Sequence, residues 1–127
     1  MWNPAPPCQR VLIVENDPDT LYSLADVLQL EGVEVTQAAR SLAEAEQALA
    51  GGFRPSAVLV DLHLDYERGE ALIDKLRANP AYGDVRVIAF SGDRIALLRL
   101  RDTVDRALLK PAEPAGVVQA LYEVCAQ

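Results

Sequence analysis

The chain is short of cysteine, aromatic side chains, histidine and long apolar runs, and each shortage excludes something. Its two cysteines, Cys8 and Cys125, do not make a disulfide framework, and no CxxC or Cys/His ligand spacing occurs. A reducing compartment, the cytoplasm, is therefore the expected location. No apolar run approaches the length needed to span a bilayer. The first ten residues, MWNPAPPCQR, carry Pro4, Pro6 and Pro7 where a signal peptide would carry an apolar core. Positive charge is scarce as well: 12 basic residues face 19 acidic ones, for a formal net charge of −7. Without a cationic footprint, neither nucleic acid nor an anionic membrane surface is expected as a partner. Trp2 and the four tyrosines show no stacking pattern.

What is present is enough for one domain. The chain has 127 residues, half of them apolar, so it can bury a real core without metal or disulfide staples. Residues 1–9 read as a flexible lead-in because their prolines block regular hydrogen bonding, and 10–127 read as the domain. Val11 to Val14 is a continuous aliphatic run, the mark of a strand buried on both faces. Leu21, Leu24, Ala25 and Leu28 have helical spacing between Pro18 and Leu30, with Gly32 as the stop. Val33 to Thr36 reads as a strand. Ser41 and Glu44 form a capping box for a helix through Ala50, ended by Gly51 and Gly52.

The same alternation continues. Ala57 to Val60 is a strand, Glu70 to Ala78 a helix ended by Asn79-Pro80, and Val85 to Phe90 a strand. A weaker helix over 94–102, a short strand from Ala107 to Leu109 and a helix from Pro114 to Cys125 complete five βα units. Such alternation predicts an α/β fold, a parallel five-stranded sheet with helices on both faces. Ligands then sit beyond the carboxyl ends of the strands.

Those ends carry a coherent set of groups. Glu15, Asn16 and Asp17 follow the first strand, Asp61 and His63 the third, Ser91 the fourth and Lys110 the fifth. Oxygen from Glu15, Asn16 and Asp61 suits Mg²⁺, which takes one or two carboxylates with water and phosphate oxygens. An aspartate can attack phosphorus to form an aspartyl phosphate. A lysine and a hydroxyl can then meet the oxygens of the transferring group. Taken singly, each residue has a plainer reading: Asp61 as a turn residue, Asp17-Pro18 as a helix start, Ser91-Gly92 as a loop pair, Lys110-Pro111 as a strand exit. Their joint placement favours the chemical reading.

The segments VLIVENDP, VLVDLHL, Gly69, VIAFSG and LLKP, in this order, resemble the receiver domain of two-component response regulators of the chemotaxis-regulator kind. The resemblance spans residues 10 to 126. It implies a flavodoxin-like (βα)5 three-layer sandwich with strand order 2-1-3-4-5. It implies Asp61 as phosphoacceptor, charged from a phosphohistidine on a sensor histidine kinase or histidine phosphotransfer protein. Glu15 and Asn16 match the pair that holds Mg²⁺, and His63 the position that gives the metal a backbone carbonyl. Ser91 matches the switch hydroxyl, Lys110 the phosphoryl-contacting lysine, and Gly69 the glycine after the third strand. A homodimer through the fourth helix, fifth strand and fifth helix is a further implication. The role is that of a signalling receiver, not an enzyme acting on other substrates, and with 17 residues after Lys110 no output domain is expected within the chain.

Three positions depart from the family. Asn16 carries an amide where an acid is expected, Asp65 replaces a proline, and Ala107 replaces an aromatic switch residue. They keep open a rival reading, a degenerate receiver that binds partners without phosphorylation. A second rival, a phosphohydrolase with an aspartyl intermediate, is disfavoured because His63, not an acid, stands two residues after Asp61. The His63 ring is expected to lie exposed beside the site.

Overall fold

The computed structural model describes residues 8–126. The prolines and Trp2 of the lead-in lie outside the described residues. The elements run β1 (Arg10–Val14), α1 (Pro18–Leu30), β2 (Val35–Ala39), α2 (Leu42–Ala50), β3 (Ala57–Asp61), β4 (His63–Leu64), β5 (Glu67–Arg68), α3 (Glu70–Ala78), a 3₁₀ turn (Pro80–Tyr82), β6 (Arg86–Ser91), α4 (Arg94–Leu100), β7 (Arg106–Leu109) and α5 (Pro114–Cys125). β2-β1-β3-β6-β7 form a parallel sheet, while β4 and β5 make a separate two-stranded hairpin. Counting only the sheet strands, this is the 2-1-3-4-5 order of the flavodoxin-like sandwich.

Side-chain alternation divides the core in two. Leu12, Val14, Val58, Val60, Val87 and Ala89 point to the face covered by α2, α3 and α4. Val11, Ile13, Ala57, Leu59, Ile88 and Phe90 point to the face covered by α1 and α5. Burial on both faces explains why β1, β3 and β6 read as unbroken apolar runs. Each buried Leu, Ile or Val contributes about 1.5–3 kcal/mol relative to exposure.

Helix boundaries follow their caps. Asp17 caps α1 by accepting from the Thr20 N–H at 3.1 Å, and Ser41 caps α2 by accepting from the Glu44 N–H at 3.1 Å. The second strand starts later than the sequence suggests, at Val35 instead of Val33. Gly32 takes a φ of 98°, and the Val33 N–H turns back to the Leu28 carbonyl at 3.0 Å. Buried Val33 therefore seals the end of α1 as the apolar residue of a C-cap, and does not open β2.

The two cysteines are bonded. Cys8 lies just before β1 and Cys125 ends α5, with Cα atoms 5.7 Å apart. Reading the two cysteines as no disulfide framework did not anticipate this single cross-link, which fastens Cys8, a residue placed in the lead-in, against the α1/α5 core. Spacing could not show it, because 117 positions separate the pair and only the fold brings the chain ends together.

Candidate functional site

Strand register gathers the site. Val14 and Val60 are partners across β1 and β3, Asp61 pairs with Phe90, and Ser91 pairs with Leu109. One step beyond Val14 stands Glu15, and one step beyond Leu109 stands Lys110. Both continue the ladder, Glu15 N–H to the Ala39 carbonyl at 3.0 Å and Lys110 N–H to the Ser91 carbonyl at 2.8 Å. Glu15, Asp61, Ser91 and Lys110 thus reach one level at the carboxyl edge.

Asp61, Glu15 and Ser91 are buried, the only polar side chains so classed among the described residues. Lys110 Nζ lies 2.8 Å from Asp61 Oδ2 and 3.6 Å from Glu15 Oε1. The His63 backbone N–H donates to Asp61 Oδ1 at 2.9 Å. Both Asp61 oxygens are therefore held. Glu15 is not so well served: its Oε2 is buried with no hydrogen-bond partner. Burial, reinforced by a hydrogen bond with Asp61 and that residue's charge, raises the Glu15 pKa to about 8 against the pull of Lys110. Burial pulls the Lys110 pKa down, but the contact and charge of Asp61, with help from Glu15, outweigh it and hold the ammonium above its ordinary value.

Ser91 Oγ accepts from the Asp93 N–H at 2.9 Å and meets His63 Nδ1 at 3.1 Å. The exposed His63 ring thus does more than lie beside the site; it engages the hydroxyl. Asp17 turns away into its helix cap, and hydrogen bonds from the Thr20 hydroxyl and N–H hold its carboxyl below the ordinary range. Gly69 abuts the β3 end: a Cβ there would clash with the Asp61 carbonyl oxygen and come within 3.0 Å of Leu62 Cα and the Val60 side chain. Ala107 is half-buried on β7, two residues short of the strand end, and brings no ring to this edge.

The hairpin β4–β5 is the part that sequence reading missed. Asp65 at its turn has a φ of 53°, and its Oδ1 accepts from Asn16 Nδ2 at 2.8 Å. Glu67 Oε1 accepts from the Leu42 N–H at 3.2 Å, at the first turn of α2. The hairpin is therefore fastened to the loop after β1, the start of α2 and the end of β6 at once, through Asp65, Glu67 and His63. Asp65-Tyr66 is not one of the glycine-containing pairs that mark a tight hairpin, so the sequence carries no signal for this turn.

A divalent cation fits this edge, on the ground of Glu15. A buried carboxylate oxygen without a donor is costly unless something positive meets it. Glu15 and Asp61 supply two hard carboxylates, and Asn16 an amide oxygen, close to what Mg²⁺ accepts alongside water. Among the described residues no trio of Asp, Glu, His and Cys side chains comes together to hold a metal. The fit accordingly depends on Asn16 and on backbone oxygen as well as the two carboxylates.

Residues 11–122 match the response regulator receiver domain family. The transcriptional regulatory protein PrrA of Mycobacterium leprae is 35% identical over 123 residues, covering 88% of this chain and 49% of that protein. The chain thus spans about half the length of the curated relatives it matches. A CheY-like receiver domain from Methylobacillus flagellatus superposes with a TM-score of 0.77 at 28% identity, covering 91% of this chain and 98% of that one. A Burkholderia pseudomallei response regulator solved with a phosphorylated aspartic acid, calcium ion and citrate gives a TM-score of 0.77 at 25% identity, covering 93% and 69%. The chain is a receiver domain of the two-component response-regulator family.

Proposed function

We propose that Asp61 accepts a phosphoryl group from a phosphohistidine on a histidine kinase or histidine phosphotransfer protein, and that the change is passed to a protein-binding face. The observation that carries this is Asp61 itself, buried at a strand end with Lys110 Nζ 2.8 Å away and the unpartnered Glu15 oxygen beside it. The Burkholderia relative, solved with a phosphorylated aspartic acid and a calcium ion, supports the same assignment here.

In the proposed step an Asp61 oxygen forms the new O–P bond while the N–P bond of the donor breaks, and the departing imidazole takes up a proton. Lys110 stabilises negative charge on the transferring group, leaving Asp61 Oδ2 to do so. Ser91 rotates its hydroxyl from His63 to a phosphoryl oxygen. Mg²⁺, held by Glu15, Asn16, Asp61 and the His63 carbonyl, would neutralise charge on the phosphoryl oxygens. The chain acts as a signalling domain whose only chemistry is its own phosphorylation and dephosphorylation.

Ile95 and Leu98 on α4 and Leu109 on β7 are large apolar side chains left exposed. They support the face of α4, β7 and α5 as the surface offered to a partner or a second copy. The described chain has no helix long and apolar enough to cross a membrane. A cytoplasmic setting rests on the histidine-kinase partner and not on the cysteines, which are bonded to each other. Relatives of this chain are transcriptional regulators. The acidic balance argues that any nucleic-acid contact belongs to segments other than this domain.

The test is phosphorylation with acetyl phosphate or a cognate kinase in excess Mg²⁺. Wild type should acquire an acid-stable, base-labile adduct, and Asp61→Asn should abolish it. A wild type left unlabelled by both donors would instead favour the phosphorylation-independent adaptor.

A further inference from the structure

We infer that Asp65 is a positioning residue for the cation site, fixing the Asn16 amide so that its oxygen, not its nitrogen, is offered to the metal. The inference rests on the cation reading proposed above.

An asparagine side chain presents an oxygen on one side and an NH₂ on the other, and only the oxygen can ligate a hard cation. Unlike a carboxylate, it can therefore present the wrong end. Ionised Asp65 is acceptor-only, so the group facing its Oδ1 at 2.8 Å must be the Asn16 nitrogen. With Nδ2 committed to the hairpin, Oδ1 is the atom left for the loop between β1 and α1. The negative partner also polarises the amide and makes its oxygen a better ligand, as outer carboxylates do for metal-bound histidines.

The neighbouring residue points the same way. Glu15 follows β1 directly, immediately before Asn16, and its Oε2 is buried without a partner among the residues that surround Asp61. Asp65 itself is exposed, at a φ of 53° that Asp, Asn and Gly tolerate but most residues do not. Holding an acid in that conformation at the hairpin turn is explained by what its carboxylate holds.

The test is calorimetric titration with Mg²⁺ alone, on the 127-residue chain, with thermal melts to confirm folding. Asp65→Gly keeps the backbone tolerance and removes the acceptor. It should weaken Mg²⁺ about tenfold, the low end for losing an outer partner of a metal ligand. Asp65→Asn keeps an acceptor oxygen and should stay within about threefold of wild type by the same scale. In an Asn16→Asp background either end of the side chain is an oxygen and neither can donate to Asp65, so Asp65→Gly should not weaken Mg²⁺ there.

The outcomes separate cleanly. If Asp65→Gly binds Mg²⁺ like wild type, or loses the same factor in both backgrounds, Asp65 does not act through the amide and the inference falls while the cation site stands. If Asp65→Asn loses as much as Asp65→Gly, charge alone is responsible and the inference also falls. If wild type binds no Mg²⁺, the cation reading itself fails and takes the inference with it.

Discussion

At the amino edge of the sheet the chain ties itself together, whereas at the carboxyl edge it buries polar side chains and leaves a Glu15 oxygen without a partner. Before β1, Gln9 is bonded to Glu34 and Val35, and Cys8 to Cys125. Arg10 donates to the Arg54 carbonyl at 3.2 Å and stacks 4.8 Å from the Phe53 ring centre, and Ser56 bridges Arg10 to Arg86. Beyond the other ends of the same strands lie three buried polar side chains. Both buried side-chain oxygens that lack partners among the described residues, Glu15 Oε2 and Glu70 Oε1, belong to this side as well. A cross-link and hydrogen bonds tie one end, and buried polar groups whose cost a proton or a bound cation would offset sit at the other.

If that contrast is real, breaking the amino edge should cost stability without touching the chemistry. Cys8→Ser opens a cross-link spanning 117 positions, and such a long loop places the loss toward the top of the range for disulfides, about 4–5 kcal/mol. Chemical unfolding without reductant should show it, and reductant should bring wild type down to the variant while leaving the variant unchanged. Phosphorylation of folded protein should persist. Equal stability of wild type and variant would remove the amino edge's claim to be the anchored end.

Gly69 is where the contrast should bend, because it lies at the carboxyl edge yet packs tightly. The space for its Cβ is taken by the Asp61 backbone, so Gly69→Ala should cost about 1–3 kcal/mol as an overpacked site. Because the clash is with the carbonyl of Asp61 itself, labelling should slow as well as stability fall. A melt unchanged from wild type would show that the loop before α3 has room to yield.

The parts legible in sequence were those set by local periodicity. α1, α3 and α5 have the bounds their apolar spacing and caps predict, and the buried β1, β3 and β6 announce themselves as aliphatic runs. Strand ends then locate Glu15, Asp61, Ser91 and Lys110 on one edge, since register follows from a parallel sheet. What sequence could not give depends on contacts between distant loops. Asn16 and Asp65 look like two unrelated departures until the fold brings them to 2.8 Å. The two-residue strands of the hairpin are too short for any periodicity, and the His63–Ser91 contact joins residues 28 apart. The disulfide is hidden for the same reason.

The carboxyl edge should also show its cost as a dependence on pH. Glu15 ionises near 4.5 when free and at about 8 in the fold, chiefly because it is buried and then because it shares a hydrogen bond with Asp61. Below 4.5 folded and unfolded chains both hold the proton; between 4.5 and about 8 only the folded chain does. The folded state binds more protons across that window, so the contribution is complete at its acid end and is lost as pH rises through the folded value. Lys110 is raised above 10.5, and what it contributes is lost only at higher pH, so it does not mask this trend. One proton sets a limit of about 1.4 kcal/mol per pH unit. The pull of Lys110 is already contained in the Glu15 value, and screening by water reaching the open edge should cut the loss sharply. With a chelator present to keep metal away, Glu15→Gln should match wild type near pH 5 and exceed its stability by about 1 kcal/mol at pH 8. Unfolding curves at the two pH values measure the difference directly. A wild type whose lead over the variant grew with pH would mean that ionised Glu15 is welcome in the fold, and the two edges would no longer be opposites.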